Sequence, residues 1–470
     1  MERTQIYAKK RWGEVKQVLD YTLKDLEKWN VKIEDLAKDV GLDFYPQEYE
    51  IIGYKDMLAY ESYIGMPSRY PHWSFGKSYE KNSTVYKYNL TGLPYEMVIN
   101  SDPCIAYLMK ENTLLLQILT MAHVYGHNDF FKNNRLFKDG TRAASTVEMF
   151  KFHADMVRSY INDPSIGYEK VERILDAAHA IKFQTTRVIG EKRIRGEVLK
   201  QRLLDEYKNK FEVHSNLESY VKLKFPDLNK IPLEPEDDLL YFIIKYWDME
   251  EWEKSLLEIV RKETAYFLPQ IETKIMNEGW ASYWQYNISK KLNLPHDLHL
   301  EFIKRHNDVI APGYGSINPY FVGFKVLEDI VKRYGIDKIF EVRAIERDES
   351  FLRKYLTEEL CADLNLFEYA AKDGNYVIKE VADDNGFKSI RNTLCNSCGV
   401  GSIPLIRVDE MSKNDKTLIL EHVYDGRELN ATYAEETLKY INELWGHTVT
   451  LKTTRLGKET TIVCDNKKKT

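Results

Sequence analysis

One long apolar run decides the fold prediction for this chain: IAYLMKENTLLLQILTMAHVYGHNDFFKNN, residues 105–134. Its apolar side chains recur on one side of a helical projection as far as residue 127, as in a helix that packs against a core. Similar patterns fill most of the sequence from about residue 104 to residue 370. The sequence therefore predicts that this part of the chain is mainly helical.

Helical patterns also occur on both sides of this run. Residues 5–40 carry an apolar stripe and predict an N-terminal helix. Further helices are predicted at TVEMFKFHADMVRSYI (146–161), YEKVERILDAAHAIK (168–182), DDLLYFIIKYW (237–247), MEEWEKSLLEIVRKETAYFL (249–268), IETKIMNEGWASYWQYNISKKL (271–292) and PYFVGFKVLEDIVKRYG (319–335).

The pattern changes after about residue 370. Four segments then alternate like strands: YVIKEVA (376–382), PLIRVDEM (404–411), TLILEHVYDG (417–426) and HTVTLKT (447–453). An amphipathic helix, ATYAEETLKYINELWG, fills residues 431–446. We predict a mainly α domain at residues 1–368, followed by a small α+β domain of the split βαβ kind at residues 369–470.

Composition excludes several classes of protein. The 470 residues carry a net charge of −6 with acids and bases interspersed, which is unlike a nucleic-acid-binding surface. No stretch approaches 18 uninterrupted apolar residues, so no membrane span is expected. The N-terminus lacks the apolar segment of an export signal. With five scattered cysteines, these features predict a cytoplasmic protein.

His123 and His127 stand four residues apart, on one face of the predicted helix. Two imidazoles so placed can chelate a divalent ion, as in the zinc motif H-E-x-x-H. The general-base glutamate of that motif is replaced by Val124. Three interpretations stay open: a metal site with its base elsewhere, a metal site without hydrolysis, or a pair of histidines hydrogen-bonded in a core.

Glu278 is the predicted third ligand. It lies in NEGWASYW, an otherwise apolar and aromatic helix, and a buried carboxylate is costly unless it is paired or bound to metal. Alternatively, it pairs with a buried Lys or Arg, or it is exposed. Two histidines and one glutamate would leave a coordination position for water, as in catalytic zinc.

Several residues could replace the missing base. Asp129 and Glu148 are the first candidates, although Asp129 could equally cap the helix or pair with Lys132. Tyr320, in INPY, could donate a hydrogen bond to a developing oxyanion. Further candidates for the proton acceptor are Glu272 and a histidine from another helix, His153 or His306.

Seven motifs together resemble the SpoVR family, stage V sporulation protein R. In chain order they are GLDFYPQEYEII, GMPSRYPHWSFGK, INSDPCIAYLM, AHVYGHNDFFKNN, NEGWASYW, INPY and LWGHTVTLKT. The resemblance covers about residue 15 to residue 455. It implies a role in forming the spore cortex, a modified peptidoglycan layer, in the mother-cell cytoplasm.

The resemblance also implies partners and site residues. Relatives often accompany a PrkA-type serine kinase and a YeaH/YhbH-type protein. The family's histidine pair and glutamate correspond to His123, His127 and Glu278. Many relatives carry a histidine where this chain has Gln285, so Gln285 is left out of the predicted site.

Two functional hypotheses follow. The first is a metal-dependent hydrolase of an amide bond, with a gluzincin-like helical core and a divalent ion, zinc by preference. The second is a non-enzymatic scaffold of sporulation, which acts through the aromatic segment 63–79 and the C-terminal domain.

Overall fold

A computed structural model describes residues 6–8, 20–88, 96–215, 225–310, 317–366, 368–372, 375–380 and 386–465. The chain forms two compact units. The first unit comprises Met1–Ser159 and Ala265–Ser402, and the second comprises Tyr160–Thr264 and Ile403–Thr470. These units are defined by compactness, whereas the domains 1–368 and 369–470 rest on a change of element type and stay a prediction.

The elements of the chain follow in order. Residues up to 162 form β1 (Ile6–Ala8), α1 (Leu23–Asp39), β2 (Gln47–Ile52), α2 (Tyr54–Ser62), α3 (Trp73–Lys87), β3 (Glu96–Ile99), β4 (Cys104–Met109), α4 (Leu114–Asn133), α5 (Arg135–Gly140) and α6 (Thr146–Asn162). Next come α7 (Tyr168–Ile181), α8 (Gly196–Ser215), α9 (Leu239–Tyr246), α10 (Glu251–Glu272), α11 (Lys274–Lys291), α12 (His296–Val309), α13 (Pro319–Tyr334), α14 (Ile336–Ile345), α15 (Asp348–Tyr355) and α16 (Glu358–Asp363). The remainder forms β5 (Glu368–Lys372), β6 (Asn375–Glu380), α17 (Gly386–Ser397), β7 (Ile406–Met411), β8 (Leu418–His422), α18 (Ala431–Trp445), β9 (Val449–Arg455) and β10 (Lys458–Cys464).

A four-stranded sheet in the first unit corrects two helix predictions. Its strand order is β1-β2-β4-β3, with β1, β2 and β4 parallel and β3 antiparallel to β4. The start of the quoted apolar run is therefore strand β4, and helix begins only at Leu114. Residues 6–8, predicted as helix, are strand β1, while residues 9–19 of that prediction lie outside the described residues.

Helix α4 is buried on nearly every side. Its side chains from Gln117 to Phe131 are all buried, including polar Asn128 and Asp129. One side packs against the sheet, where Cys104, Ala106 and Leu108 of β4 join the main core. Because both sides of α4 are covered, its polar residues must find partners inside the protein.

Glycines allow α11 to lie against both α4 and α13. A Cβ added at Gly126 of α4 would lie 2.6 Å from Ala281 Cα of α11. A Cβ at Gly279 of α11 would lie 2.4 Å from the Gly323 backbone of α13. These backbones touch directly, so helix positions here depend on the lack of a side chain.

The second unit contains the C-terminal sheet, with strand order β10-β9-β8-β7. Strands β8 and β9 are parallel and joined through α18, while the two outer pairings are antiparallel. Helix α18 ends at Gly446, whose φ of 73° is left-handed. The predicted class, mainly helical with a small C-terminal α+β domain, is confirmed. Residues 376–380 of the strand predicted at 376–382 belong to β6, which pairs with β5 in a separate hairpin of the first unit, and residues 381–382 lie outside the described residues.

Among the described helices, none combines the length and the apolar character needed to cross a bilayer.

Candidate metal centre

Three side chains of the first unit form a cluster that could hold a metal ion. Glu96, His123 and His127 each offer one ligand atom, and these atoms lie within 4.8 Å of one another. The histidines come from α4, and Glu96 is the first residue of β3. The i, i+4 spacing places both imidazoles on one helix face, with ring centroids 4.6 Å apart.

Glu278 of α11 completes the acidic side of the cluster. Its Oε2 lies 3.7 Å from His123 Nε2 and 3.5 Å from His127 Nε2. Glu96 Oε1 lies 3.9 Å from His123 Nε2. Donor atoms that share one zinc ion at about 2.0–2.2 Å each stand about 3–4 Å apart, so these separations suit a common ion.

Two amide side chains orient the histidines. Gln285 Oε1 lies 3.1 Å from His123 Nδ1, and Asn277 Oδ1 lies 2.9 Å from His127 Nδ1. An amide oxygen can only accept, so each Nδ1 carries a proton and donates it. In the neutral rings both Nε2 atoms then keep a lone pair for an ion, which is how metal-binding histidines are usually held.

His123 Nε2 is buried and forms no hydrogen bond within the described parts of the chain. A buried nitrogen without a hydrogen bond requires an explanation, and an ion that binds it is one. The site therefore fits a divalent ion by the chemistry of its donors and by this unsatisfied nitrogen.

The two histidines have opposite pKa shifts. Burial, together with the neighbouring His123, lowers the pKa of His127 to about 4, so His127 is neutral near pH 7. Burial also acts to lower the pKa of His123, but Glu278 and Glu96 outweigh it and raise this pKa above 6.5. Of the two imidazoles, His123 is therefore the one whose surroundings favour the protonated form.

The two glutamates also have opposite pKa shifts. Burial acts to raise the pKa of Glu278, yet His123 and His127 outweigh it and keep this pKa below the usual value. Burial raises the pKa of Glu96, with only partial compensation from His123. Two carboxylates whose pKa values are shifted in opposite directions suit different roles, Glu278 as a permanent anion and Glu96 as a proton carrier.

Tyr320 faces the same cluster from the first turn of α13. Its ring centroid lies 6.1 Å from that of His123. The negative charge of Glu278, followed by burial, raises the pKa of Tyr320 far above 10. The phenol therefore stays protonated and can donate a hydrogen bond, as the oxyanion role predicted for it requires.

The cluster opens into a cavity of about 690 Å³. One wall is apolar, with Leu116, Leu119 and Phe131 from α4. Val98 of β3 lines it beside Glu96, and Arg305 lines it from α12. A cavity of this size can take a small molecule or several residues of a peptide.

Asp129, predicted as catalytic, does not line this cavity. Its carboxylate accepts hydrogen bonds from Trp280 Nε1 at 2.9 Å and from the Asp43 amide at 2.8 Å. Arg343 Nε lies 3.5 Å away. Burial raises the pKa of Asp129 to about 7, although Arg343 opposes the shift. These contacts tie α4 to α11 and to the residues that precede β2.

The other candidates for the base also lie outside the cavity lining. Glu148 is exposed on α6. Glu272 accepts a hydrogen bond from the Val400 amide at 2.9 Å. His306 stacks on Tyr286 with centroids 4.4 Å apart, and His153 is buried without lining the cavity.

The sequence did not single out Glu96 or Asn277, and it led us to leave Gln285 out of the predicted site. Glu96 carries a weak signal, an acid at the start of the apolar strand EMVI. Asn277 directly precedes Glu278, which was a usable hint. Gln285 was set aside because relatives carry histidine there, yet it holds His123 in place.

Comparisons with known proteins agree with these motifs. The family described as "SpoVR like protein" matches residues 20–403, and "SpoVR-like C-terminal domain" matches residues 404–455. A relative from Escherichia coli (strain K12), "Uncharacterized protein YcgB", is 34% identical over 485 residues, which cover 92% of each chain. No solved structure gives a match. Because the two family matches together span most of the chain, this protein belongs to the SpoVR family.

Proposed function

We propose that the cluster binds a divalent metal ion and that the protein is a metal-dependent hydrolase of an amide bond. One observation carries the proposal. Two buried imidazoles are fixed through Nδ1 by amide oxygens, so that both Nε2 atoms face carboxylates at the wall of a cavity. This is the arrangement in which proteins present histidine to a metal.

His123, His127 and Glu278 are the proposed ligands. Glu278 is the one carboxylate within 4 Å of both Nε2 atoms among the described residues, and its lowered pKa keeps it ionised at neutral pH. Nitrogen and carboxylate donors suit zinc, and they also suit manganese or iron. When bound, such an ion lowers the pKa of a water molecule from 15.7 to about 7.

Glu96 is the proposed general base, in place of the motif glutamate that is replaced by Val124 in this chain. Its raised pKa favours taking up a proton, and its carboxylate lies at the edge of the same cluster. In the reaction, Glu96 accepts a proton from water as the water oxygen forms a bond to the amide carbon. It then returns that proton to the nitrogen as the carbon–nitrogen bond breaks, which gives a carboxylic acid and an amine.

Tyr320 supplies the remaining group. Its hydroxyl, which stays protonated, donates to the carbonyl oxygen as negative charge develops there. The predicted roles of Asp129 and Glu148 are not needed in this scheme, since neither residue lines the cavity.

Elemental analysis of purified variants tests the proposal. We expect near-stoichiometric metal in the wild type, loss of metal in His123→Ala/His127→Ala and in Glu278→Gln, and retained metal in Glu96→Gln. The Glu96→Gln chain should lose hydrolysis of a mixed peptide pool, measured as release of new amines. Wild-type protein without metal after supplementation with zinc, manganese or iron would refute the metal site. Full amine release by Glu96→Gln would refute the role of Glu96.

A scaffold is the second candidate, because an aromatic side chain is exposed in the segment GMPSRYPHWSFGK, residues 65–77. Trp73 opens helix α3 and is 50% exposed. By family resemblance, a PrkA-type serine kinase and a YeaH/YhbH-type protein would be the partners. If either purified partner binds, Trp73→Ala should weaken the complex, whereas Glu96→Gln should not. Equal binding by wild type and Trp73→Ala would exclude this surface.

The cellular role is likewise proposed from the resemblance. A cytoplasmic hydrolase acting in the mother cell on an amide bond would serve formation of the spore cortex. A strain that carries Glu96→Gln should then show the same cortex defect as a deletion strain, and a normal cortex would contradict the link.

A further inference from the structure

Strand β3 is an edge of its sheet at the metal centre. It pairs with β4 on one side, from Glu96 opposite Leu108 to Ile99 opposite Ile105. On its other side, no strand of the described chain pairs with it. In an antiparallel strand, every second residue turns its N–H and C=O away from its partner. About half of the backbone groups of β3 therefore point to this edge, where no described strand pairs with them.

The two faces of β3 differ. Val98 and Glu96 line the cavity, while Met97 and Ile99 pack on the opposite face with Tyr107 and its neighbours. The strand thus runs beside the metal centre, with its alternate side chains in the cavity. A chain laid along its free edge would pass the same cluster of donors.

Edge strands are commonly protected by Lys, Pro or a covering element. The sequence of β3, EMVI, has neither Lys nor Pro. Its one charged residue, Glu96, lines the cavity near His123 and so does not protect the strand edge against pairing. The sequence of β3 therefore contains no residue type that would hinder pairing with another extended backbone.

We propose that the substrate is an extended peptide segment that binds as an added strand on β3, which brings one of its amide bonds to the cluster. This inference rests on the proposed hydrolase function and names its substrate class. Backbone hydrogen bonds supply affinity in such strand addition, and pockets for alternate side chains supply specificity. The apolar wall of Leu116, Leu119 and Phe131 fits a large aliphatic or aromatic side chain beside the bond that is cleaved.

Hydroxamates test this without any turnover, because they chelate divalent ions. The probes are acetohydroxamate, which has no peptide backbone, and a leucine-containing tripeptide hydroxamate. Two further tripeptides carry one backbone N-methyl group, either next to the leucine or at the residue farthest from the hydroxamate. Binding to the zinc-loaded full-length protein is measured by calorimetry. The far N-methyl peptide controls for the bulk of the methyl group.

We expect the tripeptide to bind at least tenfold more tightly than acetohydroxamate. The near N-methyl group should remove most of that gain, and the far one should not. If acetohydroxamate binds but the tripeptide gains nothing, or both N-methyl peptides bind like the parent, strand addition is refuted while the metal site stands. A protein that binds neither zinc nor acetohydroxamate refutes the proposed function and this inference together.

Discussion

The contact between α4 and α11 leads to a prediction for Gly126→Ala. The new Cβ would lie 2.6 Å from Ala281 Cα, whereas ordinary contacts begin at 3.4 Å. The helices must therefore separate by about 0.8 Å (3.4 − 2.6). Overpacking of this kind costs about 1–3 kcal/mol. Alanine also gains about 1 kcal/mol over glycine within a helix, so the net loss of stability is smaller.

Gly76→Ala is the matched control. Gly76 also lies in a helix, α3, and a Cβ there meets no atom within 4 Å. This control should gain about 1 kcal/mol from helix propensity alone. The difference in unfolding free energy between the two variants then isolates the overpacking, about 1–3 kcal/mol. Urea denaturation monitored by tryptophan fluorescence measures both.

The same substitution should affect metal binding. Separation of α4 from α11 moves Glu278 away from the two histidines, and a binding site tolerates about 0.5 Å of misplacement. We expect Gly126→Ala to weaken zinc binding about tenfold or more, as measured by competition with a chelating dye, and Gly76→Ala to leave it unchanged. Equal stability and equal zinc affinity in both variants would refute the argument that backbone contact sets the geometry of the site.

Three further predictions concern the surroundings of the site. Zinc affinity should fall about tenfold per pH unit as pH drops through the raised pKa of His123, beginning above pH 6.5. Only one proton should compete with zinc, because the imidazole of His127 is already neutral in this range. Chelator competition from pH 8.5 to 5.5 measures the slope, and a two-proton slope would contradict the prediction. Asn277→Ala should weaken zinc binding about 10–100-fold by freeing His127 Nδ1, whereas Asn287→Ala on the same helix should not. Asp348→Asn should cost about 1–2 kcal/mol, because this carboxylate accepts two amides in the first turn of α11. Burial raises the pKa of Asp348 to about 7, so its proton-linked stabilisation is complete below about pH 4 and is lost as pH rises towards 7. The difference in unfolding free energy between wild type and Asp348→Asn should therefore shrink over that range. A constant or growing difference would contradict the raised pKa.

The helical part of the fold was predictable because its apolar periodicity is local. The sheet of the first unit was not, and β4 shows why. Cys104, Ala106 and Leu108 face α4, while Tyr107 packs on the opposite side with Ile99. A strand covered on both faces shows a continuous apolar run, which is indistinguishable by period from the start of the helix that follows it.

Candidate site residues divide in a similar way. The His123 and His127 pair needs only one helix, so its spacing is visible in the sequence. Glu278 was identified because an acid in an apolar helix demands a partner. Glu96 has only a weak signal in the sequence, since its relation to His123 depends on how β3 is placed beside α4. Contacts between elements are set by tertiary packing, and the apolar periodicity of a single sequence does not predict them.

Chain order adds a consequence for biosynthesis. Helix α4 is buried on nearly all sides. However, Asn277 of α11, which accepts a hydrogen bond from His127 of α4, follows His127 by 150 residues. At about 5–20 residues per second, a ribosome needs roughly 8 to 30 s to add that length. During that interval the most apolar helix of the first unit lacks its main partner. The nascent chain should therefore depend on chaperones at this stage, before the second half of the metal centre has been made.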